Sequence, residues 1–385
     1  MFFRRLIIFI FMFTLTVPVL AQYGEPPVFA FPDLSGGEII LSGLSVPIGV
    51  HVDHEGNVWV LDSGFGGSKT IDFINPMSFA QEEATFGHTA QLVKLAPNDK
   101  WPKREFLPSI QVGPDMIGGA RVVGLNGVLY LSYGQWFEGN MGEIPPLFGS
   151  IVKYEDGEFS VVADLWAYEE ANNPDGTDLV DSHPYGLAVG PDGMLYVTDA
   201  AANDLLRVDP STGLIETVAV FDGIESPTPT DHRGGAYESD PVPTGITIDA
   251  DGTMYVSLLT GFPFVEGSAK VLKVSPDGEV SEFASGLSML SDITRGPDGY
   301  LYATQFAVVN ELEKPAYNSG AIIRIMEDGS WEVMVAGLPF PTGIAFSADG
   351  NAYVTVSAAI LAGNGRLIFY EDFIERDALD MDASS

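Results

Sequence analysis

The chain has 385 residues, 46% hydrophobic and 18% charged, which is enough apolar material for a sizeable core in one or two domains and rules out a disordered polymer. Its 53 acids against 18 Lys and Arg leave a formal charge of -35, a balance that excludes nucleic acid and anionic membrane as partners and suits divalent cations, basic partners, or simply a salty exterior. The absence of cysteine removes disulfide scaffolds, thiol catalysis and cysteine metal sites together, so stability must come from packing.

The N-terminus reads as an export signal. "MFFRR" is basic, Leu6 to Leu20 form a short apolar run broken at Pro18, and "VLA" supplies small residues for cleavage after Ala21. A signal peptide over 1–21 places the mature chain outside the cytoplasm, periplasmic or secreted, with no membrane insertion afterwards. An uncleaved anchor is the alternative, but the run is short for a bilayer span.

Six segments then align without a gap across a turn glycine and the residue seven places before it: "GVHVDHEG" at 49–56, "ARVVGLNG" at 120–127, "GLAVGPDG" at 186–193, "GITIDADG" at 245–252, "DITRGPDG" at 292–299 and "GIAFSADG" at 343–350. Each is followed by a second short strand, such as "MLYVTD" or "TMYVS", and most copies by a second hairpin, such as "VLKVSPDGEVSEFASGL". Four antiparallel strands repeated six times predict an all-β fold, a six-bladed β-propeller spanning 22–373. The sixth copy lacks its fourth strand, and "GGEIILSGLSVPIGVHVD" near the N-terminus reads like the end of the fifth copy and start of the sixth. Glu38 to Leu41 is therefore expected to pair with Leu367 to Tyr370 and close the last blade, removing exposed edges. Residues 374–385 are expected to be a mobile acidic tail.

Turns within each hairpin are short. The long connections, at 63–90, 132–149, 165–182, 222–242, 258–268 and 304–319, all fall at the opposite end of the strands, so one face is elaborated and is the expected binding face. These loops carry Phe65, Phe73, Phe79, Phe86, Tyr133, Trp136, Phe137, Phe148, Phe262, Phe264, Phe306 and Tyr317, beside Glu138, Asp175, Asp178, Asp181 and Asp231. They would either wall a crevice over the central channel or pack on one another. A small molecule or a protein is the partner expected there; the oligomeric state is unreadable, because a closed ring has no edge to pair.

Small residues stand seven before the turn in five copies, at Gly49, Ala120, Gly186, Gly245 and Gly343, where inner strands crowd at the channel mouth. The fifth copy has Asp292 instead. A carboxylate there needs a ligand, a cation, or backbone N–H groups from neighbouring strands. Ser291, Asp181, His183 and Tyr185 would share its rim and complete the ligand-binding candidates. Asp292, Asp181 and His183 are the weak candidates for a divalent cation such as Ca2+; the 172–178 loop is another calcium candidate, without the ligand spacing of an EF-hand. Asp62 and Asp199, after the second strand of their copies, are expected to cap loop N–H groups. The basic residues Lys94, Lys153, Arg207, Lys273 and Arg324 mark a structural repeat position. No nucleophile elbow, His-Glu-x-x-His or phosphate loop is present, and no catalytic set is assigned.

The repeats resemble NHL-type propellers and the gluconolactonase and strictosidine-synthase-like six-bladed group. More closely, "VVADLWAYEEANNPDGTDLVDSHPYG" at 161–186, "PVPTGITIDADGTMYVSLLTGFPF" at 241–264 and "LSDITRGPDGYLYATQFA" at 290–307 resemble the ScyD/ScyE family, named after exported propellers encoded with scytonemin biosynthesis genes. The resemblance implies an extracytoplasmic six-bladed scaffold and carries over no catalytic set. Asp181, Pro184, Tyr185, Gly186 and Asp292 match that pattern, while His183 stands where Asn is expected. Gluconolactonase-type enzymes are expected to have Asn or Asp between the Pro and Gly of some inner strands; Ile48, Tyr185, Thr244 and Thr342 stand there, which disfavours a metal lactonase of that pattern. A hydrolase or aromatic-metabolite enzyme at the channel mouth, with metal help from a rearranged site, is the alternative to a binding scaffold.

Overall fold

The computed structural model describes residues 34–75, 80–140, 143–309, 315–356 and 363–379. The signal segment, Phe79 and the last six residues lie outside them. Apolar residues alternate with polar ones over short runs, and turn glycines accept the positive φ that the hairpins require; Gly56 and Gly299, at φ 77° and 89°, are two of them.

Six large antiparallel sheets result among the described residues. Their first strands are Pro47–Val52, Gly119–Leu125, Pro184–Val189, Pro243–Ile248, Leu290–Arg295 and Gly343–Phe346. Those six strands touch one another in chain order, and the last touches the first. Five sheets have four strands. The strand Glu38–Leu44 lies in the same sheet as Gly343–Phe346, paired with Gly365–Tyr370 in a register that opposes Ile39 to Ile368 and Leu41 to Leu367. Leu41 and Leu44 then pack with Val50, Val60, Val93 and Leu367, so this strand binds the last sheet to the first through one apolar cluster.

The first sheet is larger. Much of the described part of 63–90, read as a long connection, instead extends the sheet: Lys69–Ile74 pairs with the first half of a 15-residue strand, Gln81–Leu95. The alternation in "KTIDFI" and "ATFGH" satisfies a two-residue period that continues the blade outward. The connection at 165–182 holds an unanticipated helix, Leu165–Asn172, started by Asp164, whose carboxylate accepts the Ala167 N–H at 2.9 Å. Trp136–Phe137 pairs with Asp181–Ser182, tying two long connections together.

The chain after Phe373 corrects the expectation of a mobile tail as far as Leu379. Phe373 is fully buried, Arg376 donates to Ser35 O and lies over the Tyr370 ring, and Leu379 N–H donates to Val333 O at 2.8 Å. Apolar packing of Phe373 against Tyr302 and Tyr370 explains the docking.

Each junction between neighbouring sheets carries a hydroxyl latch. Ser63 donates to Gly119 O, Ser132 to Tyr185 O, Thr198 to Thr244 O, Thr244 to Leu290 O, Ser291 to Pro341 O and Thr342 to Pro47 O, at 2.6–2.9 Å. A carbonyl has two lone pairs, and at these strand ends a short side-chain donor from the adjacent sheet takes one of them. The small inner residues follow from the same closeness. A methyl group on Gly49 would come within 2.8 Å of Ala120 O, and those on Gly186 and Gly245 would collide with the next inner strand.

Candidate functional site

Where the six first strands come together lies a side chain that sequence reasoning passed over. Arg121, on the second of them, reaches across to the fifth, and its Nε donates to Asp292 Oδ1 at 3.2 Å. Its terminal nitrogens donate to the carbonyls of Ile48, Ala120, Ser291 and Thr342, which belong to the first, second, fifth and sixth sheets. The guanidinium also lies over the Tyr185 ring of the third sheet, 4.9 Å from its centroid. One side chain therefore joins five of the six sheets, with only 7% of its surface exposed.

Asp292 is fully accounted for by this arrangement. Its two oxygens also accept the N–H groups of Ile293 and Ile344, at 3.0 and 3.1 Å. Burial pushes its carboxyl up from the usual range, and Arg121 and the two N–H groups oppose that shift. Of the roles open to a carboxylate here, the observed one is an ion pair reinforced by backbone donors. The residues at the mouth do not fit a divalent cation, because a guanidinium already fills the acceptor sites that such an ion would need.

The sequence-derived candidates divide into two groups. Ser291, Tyr185 and His183 join Asp292 by way of Arg121: Ser291 gives it a carbonyl, Tyr185 its ring face, and the His183 imidazole meets the Tyr185 ring edge-on at 5.3 Å. The Ser291 hydroxyl is committed to Thr304 and Pro341 and is no free nucleophile. Burial drives His183 down to about 4, leaving it neutral at physiological pH, and among the described residues its ring makes no side-chain hydrogen bond. Asp181 lies apart from this group. The charges that act on it are Asp199, Asp240, Glu169 and Asp175, none of them at the axis.

That second region is strongly acidic. Asp199 is a satisfied cap, accepting from the Ser182 hydroxyl and the N–H groups of His183, Ala201 and Ala202. Asp62 plays the same part for Ser45, Val46 and Gly64. Asp240 is paired with His232 and Arg233 at 2.8 and 2.7 Å. Glu169, Asp181 and Asp204 have no such support. Burial followed by repulsion from neighbouring carboxylates pushes Glu169 up to about 8 and lifts Asp181 and Asp204 well above the carboxylate range.

Most loop aromatics support the scaffold itself. Phe73, Tyr133, Trp136, Phe137 and Phe148 belong to the core between the first two sheets, and Phe264 joins Met289, Ala307 and Phe340 in a second cluster that Phe262, Phe306 and Tyr317 flank. Phe65, 40% exposed, is the one of the described set that stays open to solvent. No helix among the described residues is long and apolar enough to cross a membrane, and among them no three His, Asp or Glu side chains close on a common point as a metal site would.

The repeats themselves held a signal for Arg121. Six residues before each turn glycine stand Val50, Arg121, Leu187, Ile246, Ile293 and Ile344, so one charge replaces an apolar residue next to the position where Asp292 replaces a small one. Two opposite charges, each the exception at neighbouring repeat positions, indicate a pair across the axis.

Residues 187–359 match the family described as SMP-30/Gluconolactonase/LRE-like region. The adipocyte plasma membrane-associated protein of Rattus norvegicus is 25% identical over 323 residues, covering 79% of this chain and 74% of that protein. The gluconolactonase of Zymomonas mobilis is 29% identical over 188 residues, covering 46% of this chain and 49% of its own. Among solved structures, the calcium-binding protein regucalcin of Agrobacterium tumefaciens aligns with a TM-score of 0.50 at 12% identity, over 87% of this chain and 93% of that one. At that identity the likeness concerns the fold alone. The chain is thus an all-β protein of many four-stranded antiparallel sheets, with propeller-like structural neighbours and similarity to the SMP-30/gluconolactonase group.

Proposed function

We propose that the six sheets are the blades of a closed six-bladed β-propeller, latched by its N-terminal strand, and that it serves outside the cytoplasm as a binding scaffold of the ScyD/ScyE kind. Its long-loop face would hold a small molecule or a protein partner. The observation that carries this reading is the Arg121–Asp292 pair. With a guanidinium bonded to four backbone carbonyls at the mouth, the axis is built for rigidity, and recognition falls to the loops around it.

A second reading, a lactone or ester hydrolase at the channel mouth, is favoured by the likeness to a gluconolactonase and by the neutral His183 ring beside Tyr185. An unprotonated imidazole can accept a proton, and a substrate that restored its basicity toward the operating pH would fit it for general-base work. A panel of lactones and aryl esters, assayed with mature protein before and after chelation, separates the two. The scaffold reading expects no turnover that His183→Ala abolishes. Hydrolysis lost in that variant, with the melting temperature unchanged, would replace the scaffold reading by the hydrolase.

A further inference from the structure

We propose that the chain binds a calcium ion away from the axis, beside the third sheet, where Asp204 meets Glu169 and Asp175. Asp204 opens the strand Asp204–Val208, opposite Asp199, and is completely buried. Among the described residues neither of its carboxylate oxygens has a hydrogen-bond partner, and the same holds for Glu169 Oε1 and Asn173 Oδ1. Buried acceptor atoms without a donor are costly inside a protein, and a cation is a partner that carboxylate and amide oxygens accept alike.

The surroundings bring further oxygens to the same place. Glu169 lies on the helix Leu165–Asn172, which packs against Asp181–Ser182. Asn173 caps that helix, its N–H donating to Glu169 O. The Asp175 carboxylate is held by Thr177 N–H and by the amide of Asn203, the residue next to Asp204. Asp181, 6% exposed, flanks the group. Neighbouring groups do not neutralise it: His232 and Arg233 are engaged with Asp240, and Asp199 is turned to its own four donors.

The donor chemistry selects the ion. The set is oxygen only, with no nitrogen or sulfur to favour zinc or copper. It comes from a helix, a loop and a strand end, an uneven arrangement that Ca2+ tolerates with six to eight oxygens and Mg2+, which demands an octahedron, does not. As placed, no three of these carboxylates close on one point. Binding therefore draws Glu169 and the 173–177 loop toward Asp204.

The test is calorimetric titration of Ca2+ into metal-stripped mature protein in 150 mM KCl, with Mg2+ as comparison and with Asp204→Asn, Glu169→Gln and the exposed-loop control Glu138→Gln. One ion per chain is expected, with Mg2+ binding at least tenfold weaker. Each of the first two variants should lose at least tenfold in Ca2+ affinity, the control none, and calcium-free Asp204→Asn should melt no lower than wild type. The proposal is overturned by no saturable binding at 5 mM Ca2+, by equal preference for Mg2+, by several ions taken up only at low salt as diffuse counterions, or by variants that bind as wild type. Should Asp204→Asn fail to fold, the Ca2+ affinity of Glu169→Gln decides by itself: a tenfold loss supports the site, and wild-type affinity overturns it.

Discussion

Replacing Arg121 with Met keeps much of the side-chain volume and removes the charge and all donors. Asp292, 10% exposed in its side chain, would then be buried with two backbone N–H groups and no counter-charge, and four carbonyls of four strands would lose their donor. Breaking a buried pair from one side costs about 3–5 kcal/mol. At about 2.1 cal/mol/K of unfolding entropy per residue, a fold of this size would lose roughly 4–7 °C in melting temperature. The sign of the pH dependence follows from Asp292. Its folded carboxyl already sits above the ordinary value through burial, and without Arg121 it would rise further, so the folded state would bind the proton more tightly than the unfolded chain. The variant should therefore lose stability as pH rises from about 4 toward 7. Asp292→Asn in the same background should remove that slope and recover part of the loss, with a coupling of about 2–3 kcal/mol in a double-mutant cycle. Melting curves of the four proteins at several pH values supply the data. A loss below about 1 kcal/mol for Arg121→Met, or no coupling to Asp292, would refute the idea that this pair holds the centre.

Thr198→Val deletes the hydroxyl that accepts Gly186 N–H and donates to Thr244 O; a loss of about 1–3 kcal/mol is expected, with Thr198→Ser near wild type, and equal melting of the two variants would count against the latch. Leu44→Ala, at a fully buried position of the N-terminal strand, should cost about 2–5 kcal/mol, whereas a loose strand would lose nothing measurable in denaturant titration. Asp115 is raised to about 6 by burial and by Glu82, so its proton favours the folded state, and that stabilisation fades as pH rises between about 4 and 6. Asp115→Asn should accordingly gain about 1–3 kcal/mol at pH 7 and nothing at pH 4; a gain of the same size at both would show that charge is not the cause.

Repeat comparison made the sheets legible because the turn glycines and the small inner residues answer to the same steric demand in every copy. Asp292 stood out for that reason, and Asp62 and Asp199 were readable as caps from their place after a strand. Arg121 was harder to see, since one long side chain can reach four other sheets and sequence distance says nothing of it. Five of the latches were present at two repeat positions, Ser132 and Thr198 five residues after the turn glycine and Thr244, Ser291 and Thr342 eight before it, but a hydroxyl at a strand end has many ordinary uses. Asp204 offers no rule to break: the other copies have Gln91, Ser150, Lys270 and Ala321 at its place. Its isolation arises from complete burial beside acids of the 165–182 connection, whose helix the sequence did not announce.

Diffraction above the manganese absorption edge, from crystals of the mature protein grown with millimolar Mn2+, tests the central claim most directly. The account predicts a guanidinium at the mouth, between the carbonyls of Ile48, Ala120, Ser291 and Thr342, and no anomalous peak there. A peak within coordination distance of Asp292, with Arg121 turned away, would contradict it.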